Sequence, residues 1–472
     1  MGQEISDSHF DPDDFVAFEE RLGRETLLLS RWLQEGRFES GPNMGGYELE
    51  AWLLDKNARP AGIVESYLQH LNDPLAVPEL ATFNLELNGT PQQLCNSALT
   101  AMHQELTTTW DRYNAVAAEL DARLAMIGIL PSALESDFTL DNMSPLHRYH
   151  ALNEQVLLRR DGRPLQFDLE GRDELLLEHN DVMLEAATTS FQIHLKVDVD
   201  EGVRFYNASK ILAAPMVAVS ANSPYLFGAD LWDETRIPLF EQAVATGELA
   251  LTQRVTLGVR YLEESIVECF MANWRRYPIL LPRLMDEPEE RLAHLRLQNG
   301  TVWRWTRPLI GFDDDGEPHL RLEHRVVPAG PSIVDSIANA ALYFGAVSAL
   351  ARQPQAPETM LSFEQAQDNF YLAAKTGLRS EIEWLDGKSI KLPQLVSEGL
   401  LPLARDGLLT MGIDVAEVDY WLGVIRERVE SGMNGAAWQR AWVAKYGADM
   451  LGLTEAYLEY QASGKPVHQW AI

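Results

Sequence analysis

Four segments of the chain alternate apolar and polar residues, and each therefore predicts a β-strand with one apolar and one polar face. The first, "MGGYELEAWLLD" (44–55), places Glu48 and Glu50 on one face, because side chains two residues apart point to the same side of a strand. The others are "TFNLELN" (82–88), "SFQIHLKV" (190–197) and "HLRLEHRVV" (319–327). We expect an α+β fold in which helices cover the apolar face of one sheet.

The polar faces of these strands include an unusual set of side chains, four carboxylates with an amide, an imidazole and a guanidinium: Glu48, Glu50, Glu86, Gln192, His194, Glu323 and Arg325. Neighbouring carboxylates repel each other unless a cation lies between them. Oxygen ligands with a single imidazole suit Mg²⁺ or Mn²⁺ better than zinc or copper. An arginine close to such a site would offset charge on a phosphoryl group. The pattern favours a metal–phosphate site, although antiparallel strands with one solvated face also alternate in this way.

Composition and charge exclude several other functions. The chain has 70 acidic and 39 basic residues, a net charge of -31, and no basic patch of the kind that binds nucleic acid or an anionic membrane. Cys95 and Cys269 are too few for a disulfide framework. No signal-peptide pattern is found, and no apolar run approaches the ~20 residues of a membrane span. We therefore expect a cytoplasmic protein.

Helical and strand patterns together predict the organisation of the chain. We expect one catalytic domain (1–472), with an N-terminal helical extension over 1–40, a sheet-forming core over 41–330 and a mainly helical part over 331–472. Within the core, the pattern predicts one long helix from Pro91 to Gly128. It predicts further helical segments up to about residue 187.

Eight segments resemble the type 2 glutamate–cysteine ligases, also called carboxylate–amine ligases, of the glutamine synthetase-like group. They occur in the family's order between residues 45 and 440: "GYELEAWLLD", "PELATFNLELNGTP", "RYHALNEQV", "SFQIHLKV", "AVSANSPYLFG", "WRWTRP", "RLEHRVV" and "SGMNGAAWQR". The resemblance implies a curved antiparallel sheet whose concave face forms the active site. It also implies that this face holds ATP and two or three Mg²⁺ ions, with Mn²⁺ as an alternative.

Positions within these motifs imply roles for individual residues. The metal ligands implied by the resemblance are Glu48, Glu50, Glu79, Glu86, His194 and Glu323. Arg325 and Glu50 are implied as catalytic residues, with Arg325 contacting the phosphate in transfer. The residues implied in binding substrate or ATP are Gln192, Arg148, Arg236, Trp303 and Arg307.

The resemblance also implies a reaction. A carboxylate, in the family the γ-carboxylate of glutamate, attacks the γ-phosphate of ATP, and an amine such as cysteine captures the acyl phosphate as an amide. The expected partners are small molecules, with no nucleic acid and no membrane, and a homodimer is left open. One alternative is a non-catalytic relative that binds a nucleotide or metabolite and acts through a partner protein. Another is metal-dependent hydrolysis without ATP.

Two segments depart from the family pattern. Lys375-Thr376-Gly377 stands where the family often has Arg-Tyr-Gly, and an ammonium cannot replace the two-pronged hydrogen bonding of a guanidinium. Trp232 lies in a loop where the family usually has small residues. Because the metal-binding carboxylates are intact, we expect retained ATP chemistry with an altered carboxylate or amine partner.

Overall fold

The structure, a computed structural model, describes residues 10–38, 40–247, 252–313 and 315–472. Its strands are β1 (Met44–Leu54), β2 (Ala76–Pro78), β3 (Asn84–Asn88), β4 (Gln92–Gln93), β5 (Arg123–Ala125), β6 (Leu165–Glu170), β7 (Glu174–His179), β8 (Phe191–Val197), β9 (Tyr225–Leu226), β10 (Ala229–Asp230), β11 (Thr306–Phe312), β12 (Pro318–His324), β13 (Glu381–Glu383) and β14 (Ser389–Lys391). Its helices are α1 (Pro12–Gln34), α2 (Val64–Leu71), α3 (Ala98–Glu119), α4 (His147–Arg159), α5 (Gly202–Ser220), α6 (Arg236–Ala243), α7 (Val267–Arg276), α8 (Ala293–Gly300), α9 (Ile333–Ala351), α10 (Phe363–Thr376), α11 (Leu392–Gln394), α12 (Leu401–Met411), α13 (Val415–Ser431), α14 (Gly435–Tyr446) and α15 (Met450–Ala462).

The central sheet of the described residues has eight strands, and all of its pairings are antiparallel. The order is β11-β12-β8-β1-β3-β2, and β4 and β5 pair with the two ends of β1. The sheet curls into a half-barrel. The predicted α+β class, with a curved antiparallel sheet packed by helices and a mainly helical part after residue 331, is confirmed.

The apolar face of the sheet packs against helices, as the alternating pattern predicted. Helix α9 contacts β8, and helix α5 contacts β11 and β12. β1 passes close to α9 at Gly45, where a Cβ atom would lie 2.8 Å from the ring of Phe344. Glycine at this position therefore lets the strand and helix pack together, and it leaves the polar face of the same strand free for the site.

Helix α9 is the one described helix that is long and apolar enough to cross a membrane. It has 19 residues, and most of them are buried inside the protein. The expectation that no apolar run approaches the length of a membrane span was therefore wrong. The apolar composition of α9 is that of a central core helix, enclosed by neighbouring helices on several sides.

One predicted helix is shorter than expected, and one region predicted to be helical contains a hairpin. Helix α3 begins at Ala98 rather than at Pro91 and ends at Glu119, because the flanking residues pair with β1 as β4 and β5. Between α4 and residue 187 lies the hairpin of β6 and β7. The segment "LQFDLE" alternates buried and exposed residues. This alternation of apolar and polar residues is typical of a strand, and it contradicts the helix expected here.

The N-terminal helix α1 lies against α7 and α8. Its apolar side is buried through four large side chains: Phe18, Leu22, Leu29 and Trp32. The buried carboxylate of Glu25 accepts hydrogen bonds from His294 Nδ1 (2.6 Å) and from the Leu295 N–H (2.8 Å). Part of the predicted extension, residues 1–9 and 39, lies outside the described residues, and the division into three parts stays a prediction.

Candidate active site

A cavity of about 340 Å³ opens on the polar face of the sheet. Sheet residues line one side of it, and residues of α4, α6 and α8 line the other sides. The predicted site residues that line it are Glu48, Glu50, Glu79, Arg148, Trp303, Arg307, Glu323 and Arg325. Glu86, Gln192 and His194 lie on the same face of the sheet, paired with or adjacent to these residues.

Strand register brings Glu48, His194 and Glu323 together. His194 lies opposite Glu323 in β12 and opposite Gly46 in β1, and Glu48 is two residues further along the same face. His194 Nε2 is 3.4 Å from Glu48 Oε1 and 3.9 Å from Glu323 Oε1. One donor atom from each of the three residues lies within 4.8 Å of the others.

This cluster has the donor set that a hard divalent cation requires. Two carboxylates and one imidazole supply oxygen and nitrogen atoms without a thiolate, which suits Mg²⁺ or Mn²⁺. Within the described part of the chain, the buried atoms Glu48 Oε2 and His194 Nε2 have no hydrogen-bond partner. Burial alone would raise the pKa of Glu48, but the adjacent His194 imidazole helps to bring that pKa well below its usual range. The residues present therefore fit such an ion.

Two arginines surround Glu323. Arg307, directly opposite in β11, donates two hydrogen bonds to its carboxylate, from Nε (2.7 Å) and Nη2 (2.9 Å). Arg325 Nη1 lies 3.4 Å from Glu323 Oε2. Burial opposes ionisation, but these two guanidinium groups lower the pKa of Glu323 to about 2. The carboxylate is thus ionised at neutral pH, and it retains lone pairs for a further ligand.

A chain of hydrogen bonds links Glu50 to Arg325. Gln192 Nε2 donates to Glu50 Oε1 (2.8 Å), and Gln192 Oε1 accepts from Arg325 Nη1 (2.7 Å). The Ser190 N–H donates to Glu50 Oε2 (2.6 Å). Burial, with the nearby charge of Glu79, raises the pKa of Glu50 to about 7. Gln192 therefore fixes the relative positions of an acidic and a basic group that both line the cavity.

Glu86 and Glu79 are the other two predicted acidic residues of the site. Glu86 lies opposite Glu50 and is fully buried, and burial together with the charge of Glu48 raises its pKa well above the usual range. Glu79 follows β2 and accepts a hydrogen bond from the Tyr149 hydroxyl (3.3 Å). Its buried Oε1 has no hydrogen-bond partner within the described ranges. A bound cation would offset the mutual repulsion of these carboxylates.

Arg236 and Trp303 have different surroundings. Trp303 lines the cavity, whereas Arg236 is 2% exposed and contributes nothing to its lining. The Arg236 guanidinium donates to Glu234 Oε1 (3.0 Å) and to the backbone carbonyls of Arg325 (3.2 Å) and Val326. These contacts hold the backbone of Arg325 in place. The predicted role of Arg236 in substrate binding stays a prediction that no contact supports.

Sequence reasoning missed three charged residues of the cavity: Glu185, Arg296 and Arg321. Arg321 lies two residues before Glu323 on the same face of β12, so the alternation already contained it. Glu185 lies on the 3₁₀ turn Met183–Ala187, and Arg296 lies on α8. The sequence around Glu185 and Arg296 does not alternate as a sheet strand does. Their place beside the sheet is therefore seen only in the structure.

The two departures from the family pattern contact each other. Lys375 Nζ lies 5.8 Å from the centre of the Trp232 ring, within cation–π range. The Trp232 indole donates to the carbonyl of Glu170 (2.9 Å). Neither side chain lines the cavity. The two positions at which the sequence departs from the expected pattern thus form one local contact outside the cavity lining.

Comparison with known proteins identifies the family and relatives of similar fold. A sequence model of glutamate-cysteine ligase family 2 matches residues 44–450. The fold is similar to that of a glutamate–cysteine ligase from Francisella tularensis, solved in complex with AMP (TM-score 0.54, 12% identity, 90% of each chain covered). It is also similar to a bifunctional glutathione synthetase from Pasteurella multocida (TM-score 0.57, 10% identity, 96% of this chain and 55% of that chain). No curated protein matches the sequence. The family match covers most of the chain, and the protein belongs to the glutamate-cysteine ligase family 2.

Proposed function

We propose that the protein is an ATP- and Mg²⁺-dependent carboxylate–amine ligase that forms a γ-glutamyl or similar amide through an acyl phosphate. The observation that carries this proposal is the cluster of Glu48, His194 and Glu323 beside Arg325 in one cavity. Membership of a ligase family supports the same conclusion. We also propose that the enzyme is cytoplasmic.

The metal ions would be held by Glu48, His194 and Glu323, and by the second acidic group formed by Glu50, Glu79 and Glu86. Bound there, they would neutralise charge on the ATP phosphates. Each of these side chains supplies an oxygen or nitrogen donor on or beside the polar face of the sheet.

Arg325 is the proposed contact to the phosphoryl group in transfer. Burial would lower the pKa of this arginine, but the carboxylates of Glu323, Glu50 and Glu48 raise it above its usual value, so the guanidinium stays protonated. Gln192 and Glu323 hold it at 2.7 Å and 3.4 Å. A cation fixed in this way before substrate binds needs little reorganisation when charge develops.

The reaction needs no protein nucleophile. A carboxylate oxygen of the substrate attacks the γ-phosphorus, and ADP leaves with the electron pair of the broken P–O bond. The amine nitrogen then attacks the acyl carbon, and phosphate leaves with the oxygen that came from the carboxylate. The amine loses one proton in forming the amide. The protein contributes binding, orientation and fixed charge.

The test is phosphate release from ATP with L-glutamate and a panel of amines that includes cysteine, with Mg²⁺ present or removed by a chelator. The proposal predicts release that depends on a carboxylate, an amine and the metal together. Release that is independent of any carboxylate would contradict it and favour hydrolysis. A folded sample that binds ATP but releases no phosphate with any member of the panel would favour a non-catalytic relative.

A further inference from the structure

Glu185 is a charged residue of the cavity that the proposed reaction leaves without a role. It lies on the 3₁₀ turn Met183–Ala187, and its side chain lines the cavity together with Glu50 and Glu79. Across the part of the chain that the structure describes, no side chain or backbone group forms a hydrogen bond or ion pair with its carboxylate. The group therefore faces the space that substrates would fill.

The surroundings of Glu185 favour a positive charge beside it. Glu50 and Glu79 line the same cavity, so acidic side chains gather in it. A carboxylate without a hydrogen-bond or ionic partner is costly in its charged form inside a cavity unless a cation lies near. A cationic substrate group placed here would supply that cation.

The wall next to Glu185 is apolar. Leu152 and Val156 lie four residues apart on the same face of α4, and both line the cavity with Val182. The Val182 N–H donates to Asn153 Oδ1 (3.0 Å), which holds the turn that carries Glu185 against α4. Uncharged, water-excluding groups of a ligand would pack against this wall.

The cavity-lining arginine on the same helix as this wall is already engaged. Arg148 lies on α4, and its guanidinium donates to the Tyr149 hydroxyl (2.8 Å) and to the carbonyl of Pro78 (3.4 Å). Arg296 and Arg321 line the cavity from other elements, α8 and β12. On the α4 side of the cavity, a ligand carboxylate would therefore meet the negative charge of Glu185 and an apolar surface.

We propose that Glu185 binds the ammonium group of the acceptor amine, and that the acceptor is a primary amine with an uncharged, largely apolar body. This inference rests on the proposed function, because it names the second substrate of that ligase. Binding involves no covalent change at Glu185. The carboxylate holds the ammonium group in the cavity, and the apolar wall takes the rest of the molecule. The ammonium group releases one proton to solvent to become the free amine that attacks the acyl carbon, and the nitrogen loses a second proton as the amide forms.

The experiment compares KM values for alkylamines, cysteine and aspartate in the wild type, in Glu185→Gln and in the matched control Glu178→Gln. Glu178 is an exposed glutamate on the nearby strand β7. Glu185→Gln should raise the KM for the amine by about tenfold to a hundredfold, the effect of losing one charge-assisted hydrogen bond. It should leave the KM for ATP and for the carboxylate unchanged. Glu185→Asp, which retains the charge, should recover part of the affinity.

Hydroxylamine separates acceptor binding from the first half of the reaction. It is small and largely uncharged at neutral pH, and it traps acyl phosphates as hydroxamates. Glu185→Gln should therefore lose far less activity with hydroxylamine than with an alkylamine. A melting temperature close to that of the wild type would show that the variant is folded, and a variant that fails to fold is replaced by Glu185→Asp.

Three results would overturn the inference. They are an equal loss with hydroxylamine and with alkylamines, a higher Mg²⁺ requirement in Glu185→Gln, and a wild-type preference for cysteine or aspartate over alkylamines. The second of these would make Glu185 a metal ligand instead. Hydroxamate formation by the wild type keeps the proposed function in each case, whereas its complete absence would remove the proposed function and this inference together.

Discussion

At the scale of single residues, Glu48 and Glu323 carry the same charge in different surroundings. The side chain of Glu48 is 16% exposed, and its Oε2 has no hydrogen-bond partner among the described residues. Glu323 is 1% exposed, and two guanidinium groups contact it. Both are proposed metal ligands, but only Glu323 also neutralises buried arginines. Replacement of the two residues should therefore have different effects on stability.

Glu48→Gln should abolish activity and leave the fold intact. Loss of one charged ligand should reduce phosphate release by about a hundredfold or more and weaken Mn²⁺ binding. The free energy of unfolding should change by less than about 1 kcal/mol, because the substitution also removes repulsion with Glu86. Calorimetric titration with Mn²⁺ and thermal melting are the measurements, with the exposed Glu65→Gln as control. Unchanged Mn²⁺ affinity would show that Glu48 is no ligand.

Glu323→Gln should lose both activity and stability. It removes the charged acceptor of two hydrogen bonds from the buried guanidinium of Arg307, and removing one partner of a buried ion pair costs about 3–5 kcal/mol. Denaturant unfolding measures this loss. The double variant Glu323→Gln/Arg307→Gln should recover much of the stability and none of the activity. If the single variant is as stable as the wild type, the Arg307 contact is not maintained in solution.

At the scale of secondary-structure elements, α1 packs against α8, which lines the cavity. Glu25 on α1 accepts hydrogen bonds from His294 and Leu295, and α8, which they begin, lines the cavity at Asn299 and Gly300. The His294 ring also accepts the Met285 N–H at Nε2 (3.1 Å), so Nδ1 carries the proton that is donated to Glu25. A fully buried hydrogen-bond network thus joins α1 to α8, and α8 forms part of the cavity wall.

Glu25→Ala should destabilise the protein by about 2–5 kcal/mol, because it leaves two buried donors without an acceptor. Glu20→Ala, on the exposed side of the same helix, is the matched control and should change stability by less than about 0.5 kcal/mol. Urea unfolding of both variants measures the difference. Equal effects of the two substitutions would mean that α1 is not anchored through Glu25.

The carboxylate of Glu241, on α6, should make stability depend on pH. It accepts hydrogen bonds from the Trp305 indole (2.8 Å) and the Tyr371 hydroxyl (3.0 Å), and burial raises its pKa from the ordinary 4.5 to about 7. The folded state therefore binds this proton more tightly than the unfolded chain does. The stabilisation is complete below pH 4.5 and is lost as the pH rises through 7.

The difference in unfolding free energy between the wild type and Glu241→Gln isolates this effect. The wild type should lose at most about 3 kcal/mol relative to the variant between pH 4.5 and 8. Denaturant titrations at a series of pH values measure it. A difference that does not change with pH would mean that Glu241 has an ordinary pKa in the folded protein.

Strands β1, β3, β8 and β12 were predictable from sequence because the alternation of apolar and polar residues is a local property. Glu48 and Glu50 share a face in any strand that contains them. The hairpin of β6 and β7 follows the same rule but was missed, because its strands are flanked by helical segments and its exposed face is acidic. The contact between Lys375 and Trp232 joins residues 143 positions apart, so no local pattern could reveal it.

At the scale of the whole molecule, the site exists because strands from distant parts of the chain pair in one register. His194 meets Glu323 across β8 and β12, and Glu50 meets Glu86 across β1 and β3. Motif positions predicted which residues would meet, and the register explains why they do. A shift of one residue in any strand would move its ligands to the apolar face. Positions outside the sheet, such as Glu185, depend on helix packing and needed the structure.

The measurement that tests the central claim most directly follows an oxygen atom. L-glutamate labelled with ¹⁸O in its γ-carboxylate is turned over with ATP, Mg²⁺ and hydroxylamine, and the phosphate is analysed by mass spectrometry. An acyl phosphate requires that one labelled oxygen leaves with each phosphate released. We predict that this labelled phosphate will be found. Unlabelled phosphate would contradict the account, because it would mean that water, rather than the carboxylate, had attacked ATP.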